Sequence, residues 1–158
     1  MTGTGGEGIN ATGNAGISVG VAGTVTGATT GLLVTGGTGG AGNIDVSAGS
    51  VAGGTGNAVT IQNNGAGSVS VNITGATSST GGEGIVVRDK SVGGSISVTT
   101  GAVTAATASK DGIDVQTQTL TGDVTIVANG DIKAGNAGIV DRRPDADADR
   151  RRHDRRQW

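Results

Sequence analysis

The sequence predicts an all-β fold: a right-handed parallel β-helix of about five coils, with three short strands in each coil. Three observations lead there. Val and Ile alternate with Ser, Thr and Asp in brief runs, which puts the apolar members on one face of a strand. These runs return at a spacing of about 26 residues, within the range of solenoid repeats. The composition is also unusual, with 33 glycines among 158 residues, no Cys, Phe or Tyr, and one Trp at the last position. A core without large fillers must be built from Val, Ile, Leu and Ala, which suits a thin, regularly stacked interior. Gly-rich polar text can also signal disorder, but here the apolar residues keep fixed offsets.

The unit is clearest between Gly112 and Ile139. Each unit opens on a small residue followed by an apolar one: Gly8-Ile9, Gly31-Leu32, Ala58-Val59, Gly84-Ile85, Gly112-Ile113 and Gly138-Ile139. The apolar members at 9, 32, 59, 85, 113 and 139 are separated by 23, 27, 26, 28 and 26 residues. A second run follows at Ile17/Val19, Ile44/Val46, Val69/Val71, Ile96/Val98 and Val124/Ile126. A third, shorter run gives Val25, Val51, Val103 and Ile132, and the unit opening at Val59 lacks it, with Gly75-Ala76-Thr77 in its place.

Between the runs lie Gly13-Asn14, Gly56-Asn57, Asn64-Gly65, Asn129-Gly130 and Gly135-Asn136, residues expected to supply positive φ at sharp corners. Extra residues gather at corners too, as in 36 to 40 and 105 to 109, where length is free to vary. Stacking each run on its counterpart gives three parallel sheets with like residues about 4.8 Å apart. The right hand follows from the general handedness of parallel crossovers. An antiparallel sandwich also has short, evenly spaced strands, but its hairpins would not make every third strand resemble the first.

The periodicity divides the chain into a repeat region, residues 1 to 140, and a tail, residues 141 to 158, expected to be disordered and solvated. Seven Arg and five Asp give the tail a charge of +2, whereas four basic and eight acidic residues give the repeats −4, for a net −2. This Arg/Asp text resembles a GC-rich gene read out of frame, an origin testable by translating the other frames after Val140. A small negative charge favours neither nucleic acid nor an anionic membrane as partner. No apolar run reaches the roughly 20 residues of a membrane span, and no basic start with an apolar stretch marks a signal peptide at Met1.

No motif points to catalysis, a cofactor or a metal, so no catalytic, cofactor-binding or metal residue is assigned. Gly3, Gly5 and Gly8 match the spacing of a dinucleotide fingerprint without the strand and helix it requires. The stretches 39 to 42 and 81 to 84 resemble a calcium nonapeptide, but Ile44 and Val86 stand where its aspartate belongs. His153 has no nucleophile near it by any motif. Glu83 and Asp111 each stand two residues before the apolar residue of a unit opening, Ile85 and Ile113, and should stack on adjacent coils beside Arg88 and Lys110. Such a pair could hold a hard cation or serve as an acid pair, yet exposed corner charges are the simpler expectation. Asn10-Ala11-Thr12 and Asn72-Ile73-Thr74 match the N-glycosylation acceptor.

The runs Gly94-Ser-Ile-Ser-Val, Gly122-Asp-Val-Thr-Ile and Gly130-Asp-Ile, with the Gly-Ile openings at 84 and 138, resemble the coils of autotransporter passenger domains of Gram-negative bacteria. The resemblance covers about Gly5 to Val140. It implies a fragment of a cell-surface or secreted adhesin-like passenger, a stalk or adhesive scaffold that is not an enzyme. Implied partners are surface or matrix glycans and proteins, or further copies through open ends of the helix, but not nucleic acid. The family's outer-membrane β-barrel is expected in the parent protein and is not recognisable in the tail. The alternative is a β-helical polysaccharide lyase or hydrolase acting on acidic glycans, for which Glu83, Arg88, Lys110 and Asp111 are the available residues. Ice binding ranks last, because Thr24 and Thr26 are not continued in register.

Overall fold

The computed structural model describes residues 1–38, 42–91, 93–118 and 122–144. Among them there are fifteen β-strands and no helix, and every strand pair is parallel. The chain is a β-solenoid of about five turns. Strands are numbered in chain order and stack into three ladders.

The first ladder contains the unit openings: β2 (Ile9–Gly13), β4 (Leu32–Gly36), β6 (Val59–Asn63), β9 (Ile85–Asp89), β12 (Ile113–Thr117) and β15 (Ile139–Arg142). Its register is the one expected, with Ile9, Leu32, Val59, Ile85, Ile113 and Ile139 aligned. Pairing continues through Arg142, which lies opposite Gln116, so the coil extends two residues past Val140. Residues 145 to 158, including His153 and most of the expected tail, lie outside the described residues.

The second ladder joins the leading segments of β3 (Ile17–Gly27) and β5 (Ile44–Gly53) to β7 (Val69–Ile73), β10 (Ile96–Thr100) and β13 (Val124–Ala128). The third joins β1 (Thr2–Gly3) and the trailing segments of β3 and β5 to β8 (Thr77–Ser79), β11 (Val103–Ala105) and β14 (Ile132–Lys133). In the early coils β3 and β5 run through the corner between these two ladders, with a register shift between Val21 and Thr24, while later coils break there.

Two sequence expectations are corrected. The unit opening at Val59 does have its third strand, β8, in which Thr77 aligns with Val51 and Val103. A β-branched Thr fits this pleated position as Val does. Ser79 follows it inward, where its hydroxyl donates to Gly56 O at 2.7 Å and accepts from Gly82 N at 2.8 Å. Positive φ does not occur at the Gly-Asn corners. Among the described residues it occurs at Gly67, Gly93 and Gly122, just ahead of the second-ladder strands. The asparagines act through their side chains instead: Asn57 Oδ1 accepts from Glu83 N at 2.9 Å, and Asn64 Nδ2 donates to Gly36 O at 2.9 Å.

Inside, each coil contributes Val and Ile from all three ladders. In one coil Ile85, Val87, Ile96, Val98 and Val103 are buried together, each burial stabilising by roughly 1.5–3 kcal/mol. Corresponding residues near the two ends of the stack, such as Ile9, Ile17, Val124 and Ile132, are only half-buried. The glycine that opens a unit allows the first ladder to close on the third. A Cβ on Gly112 would lie 2.6 Å from Gly138 O and would strike Ile132 Cγ2.

Candidate functional site

Among the described residues, a set of paired charged side chains lies on the outer face and entrance corner of the first ladder. Alternation along β12 turns Ile113 and Val115 inward and leaves Asp114 on the outer face, in register with Thr60, Val86 and Val140. Asp111 occupies the corner just before the strand. Both carboxylates are nearly buried, Asp111 at 5% and Asp114 at 8% exposure.

Their partners come mainly from the following coil. Asp111 Oδ1 accepts from Asn136 Nδ2 at 2.7 Å and from Ala137 N at 3.0 Å, and Arg142 Nη2 stands 3.4 Å from Asp111 Oδ2. Arg142 Nε donates to Asp114 Oδ1 at 3.0 Å. The hydrogen bond that Arg142 donates to Asp114, with the charges of Asp114 and Asp111, raises the Arg142 pKa above its ordinary value. A raised value in a base means that the guanidinium side of this interaction keeps its charge at neutral pH and gives up its proton only as pH rises far into the alkaline range.

Glu83 and Lys110 form a separate pair. Lys110 Nζ donates to Glu83 Oε1 at 3.4 Å, linking adjacent coils while both side chains stay partly exposed. The structure thus divides the expected quartet: Lys110 goes to Glu83, Asp111 to the next coil, and Arg88 stays exposed with no carboxylate partner among the described residues. Asp111 is corrected from an exposed corner charge to a buried acceptor. Asn57 is its counterpart on an earlier coil, taking the Glu83 N–H as Asp111 takes that of Ala137. The signal in the sequence is an Asx two residues before the apolar residue of a unit opening, a place where a carboxylate or amide oxygen can cap the next coil.

Sequence reasoning also missed the exit corner of the same ladder. Asn63 and Asp89, in register and each 2% exposed, are joined by Asn63 Nδ2 donating to Asp89 Oδ1 at 3.1 Å. Beyond the outer rim of this corner an open groove of about 390 Å³ is lined by Gln116, Thr117, Gln118, Arg142, Arg143 and Pro144.

Among the described residues no three His, Asp or Glu side chains meet in a group able to hold a metal ion. Gly3 lies in β1 and Gly8 just before β2, in strand and corner rather than strand and helix. Of the nonapeptide-like stretches, 81 to 84 forms the corner before β9, and residues 39 to 41 lie outside the described residues. Asn10 and Asn72 are exposed on strands. No protein-family model matches the chain, and no curated protein or solved structure matches it either. The class defined by the fold is therefore the parallel β-solenoid repeat protein.

Proposed function

We propose that this solenoid is a non-catalytic adhesive scaffold or stalk of the kind found in autotransporter passengers, displayed at the surface of a Gram-negative cell. The observation that carries this reading is the outer row of the second ladder. Ser18, Asp45, Ser70, Ser97 and Thr125 are aligned in register and all exposed. Polar groups repeated once per coil, about 4.8 Å apart, suit many weak contacts made together, whose avidity exceeds that of any one contact. Asp111 adds support, since a carboxylate committed to a neighbouring coil's amides is poorly placed to act as a general base.

The test is adhesion of the purified chain to immobilised glycans and matrix proteins, run beside a polygalacturonate depolymerisation assay. The adhesive reading expects retention that grows steeply with ligand density and no depolymerisation. Calcium-dependent depolymerisation abolished by Asp111→Ala would instead establish the lyase alternative.

A further inference from the structure

The exit side of the first ladder carries a pattern that the scaffold does not require. Gln62, Arg88, Gln116 and Arg142 are aligned in register on successive coils, on the outer face of β6, β9, β12 and β15. Two residues further along the chain, Asn64, Lys90 and Gln118 follow in the same order. The result is a stripe of amide and cationic N–H groups running along the solenoid axis, in which Gln62 Nε2 already donates to Asn64 Oδ1 at 2.8 Å and Asn64 Nδ2 to Gly36 O at 2.9 Å.

The charge on this stripe is only partly compensated. Arg142 is held by Asp114 and Asp111, and Arg143 by Asp141 at 2.8 Å. Arg88 and Lys90 are exposed and have no carboxylate partner among the described residues. Asp89, between them in sequence, is turned inward to Asn63 and Ser91 N. The open groove lined by Gln116, Arg142 and Arg143 continues the stripe toward the last described coil.

We propose that this stripe binds an extended, carboxylate-bearing polysaccharide lying along the solenoid axis. The inference rests on the adhesive reading above and names the ligand class of one face. Arg88 and Lys90 supply the uncompensated cations of the stripe, whereas Arg142, two coils or about 10 Å further along, is already shared with Asp114 and Asp111. Arginine forks match carboxylates in a bidentate manner, and the intervening Gln amides can take and give hydrogen bonds to sugar hydroxyls. A peptide would find no apolar pocket to anchor a side chain on this stripe. Single-stranded nucleic acid would find no aromatic side chain to stack on, the chain's one Trp being its last residue.

The experiment is calorimetric titration of the full chain with polygalacturonate, neutral dextran and single-stranded DNA at low salt, for the wild type and three variants. Arg88→Gln installs the residue that stands in register on both neighbouring coils, and Lys90→Gln the residue found two places after Gln116, Gln118, so the fold is expected to persist, which circular dichroism melts check. Lys133→Gln removes the same charge from the exposed face of the third ladder. The proposal expects polygalacturonate to bind and dextran not to, with Arg88→Gln and Lys90→Gln each weakening binding about tenfold and Lys133→Gln leaving it little changed. Equal weakening by Lys133→Gln, equally tight binding of DNA, or no polygalacturonate binding overturns it. Adhesion to neutral glycans without acidic-glycan binding defeats this inference alone, whereas failure to adhere to any glycan or matrix protein defeats the scaffold reading as well.

Discussion

Asn63 donates from Nδ2 to Asp89 Oδ1 at 3.1 Å, joining two side chains that stand one coil apart and are each 2% exposed. Each also closes its own corner, because Gly65 N donates to Asn63 Oδ1 at 3.2 Å and Ser91 N to Asp89 Oδ1 at 2.8 Å. Asn63 Nδ2 donates further to Gly67 O at 3.1 Å. Removing either side chain strands buried backbone donors, at a cost of about 1–3 kcal/mol. Urea denaturation should show that loss for Asn63→Ala and Asp89→Ala. Asp89→Asn keeps the Oδ1 acceptor and should keep most of the stability; if it is as damaging as Asp89→Ala, the carboxylate charge matters and the corner has been misread.

At the opposite corner Asp111 fastens the following coil. Asp111→Ala removes the acceptor of the Ala137 amide and of Asn136. We expect faster hydrogen exchange at Ala137 and a loss of about 1–3 kcal/mol. Arg142→Gln should cost less than Asp111→Ala, since the guanidinium is exposed and screened by solvent.

Thr100 offers a gain. It is fully buried between Ile73 and Ala128 in the second ladder, and its hydroxyl has no hydrogen-bond partner. Thr100→Val should raise stability by about 1 kcal/mol, the order of the cost of a buried unsatisfied polar atom, read as a higher urea midpoint at unchanged slope.

Closure of the coil on its third strand is tested at the unit-opening glycines. Gly112→Ala places a methyl 2.6 Å from Gly138 O and against Ile132, and overpacking of this kind costs about 1–3 kcal/mol. Gly138→Ala meets nothing nearer than 3.7 Å and should be neutral. Thermal melts of the two variants should therefore separate.

The coil was legible because hydrophobic burial, the main force that shapes it, follows a regular period along the chain. Val and Ile at fixed offsets define which face is buried, and the register of all six unit openings follows directly from them. The third strand at Thr77 was hidden because its inward residues are polar, and an apolar count passes over a Thr and a Ser that pack and bond like their neighbours. Asn63 and Asp89 were hidden for a related reason: an Asx in a corner reads as a turn former whether it faces solvent or the interior, and only the stack shows the direction. The division of Glu83, Lys110, Asp111 and Arg88 depends on which coil each side chain reaches, which spacing alone does not determine. The donor stripe was present in the sequence as Gln62, Arg88, Gln116 and Arg142, but gains meaning only once register places them in one row.

The most direct test of the in-register solenoid uses the absence of cysteine from the chain. Spin labels attached through Ser18→Cys and Thr125→Cys report two exposed residues of one second-ladder row, related through Asp45, Ser70 and Ser97. Four coil steps predict a single backbone separation of about 19 Å, with the Ser18 and Ser70 pair at about half of it. A broad distribution, or a separation of roughly 30 Å or more as in an expanded chain, would contradict the stacked coil and every site built on it.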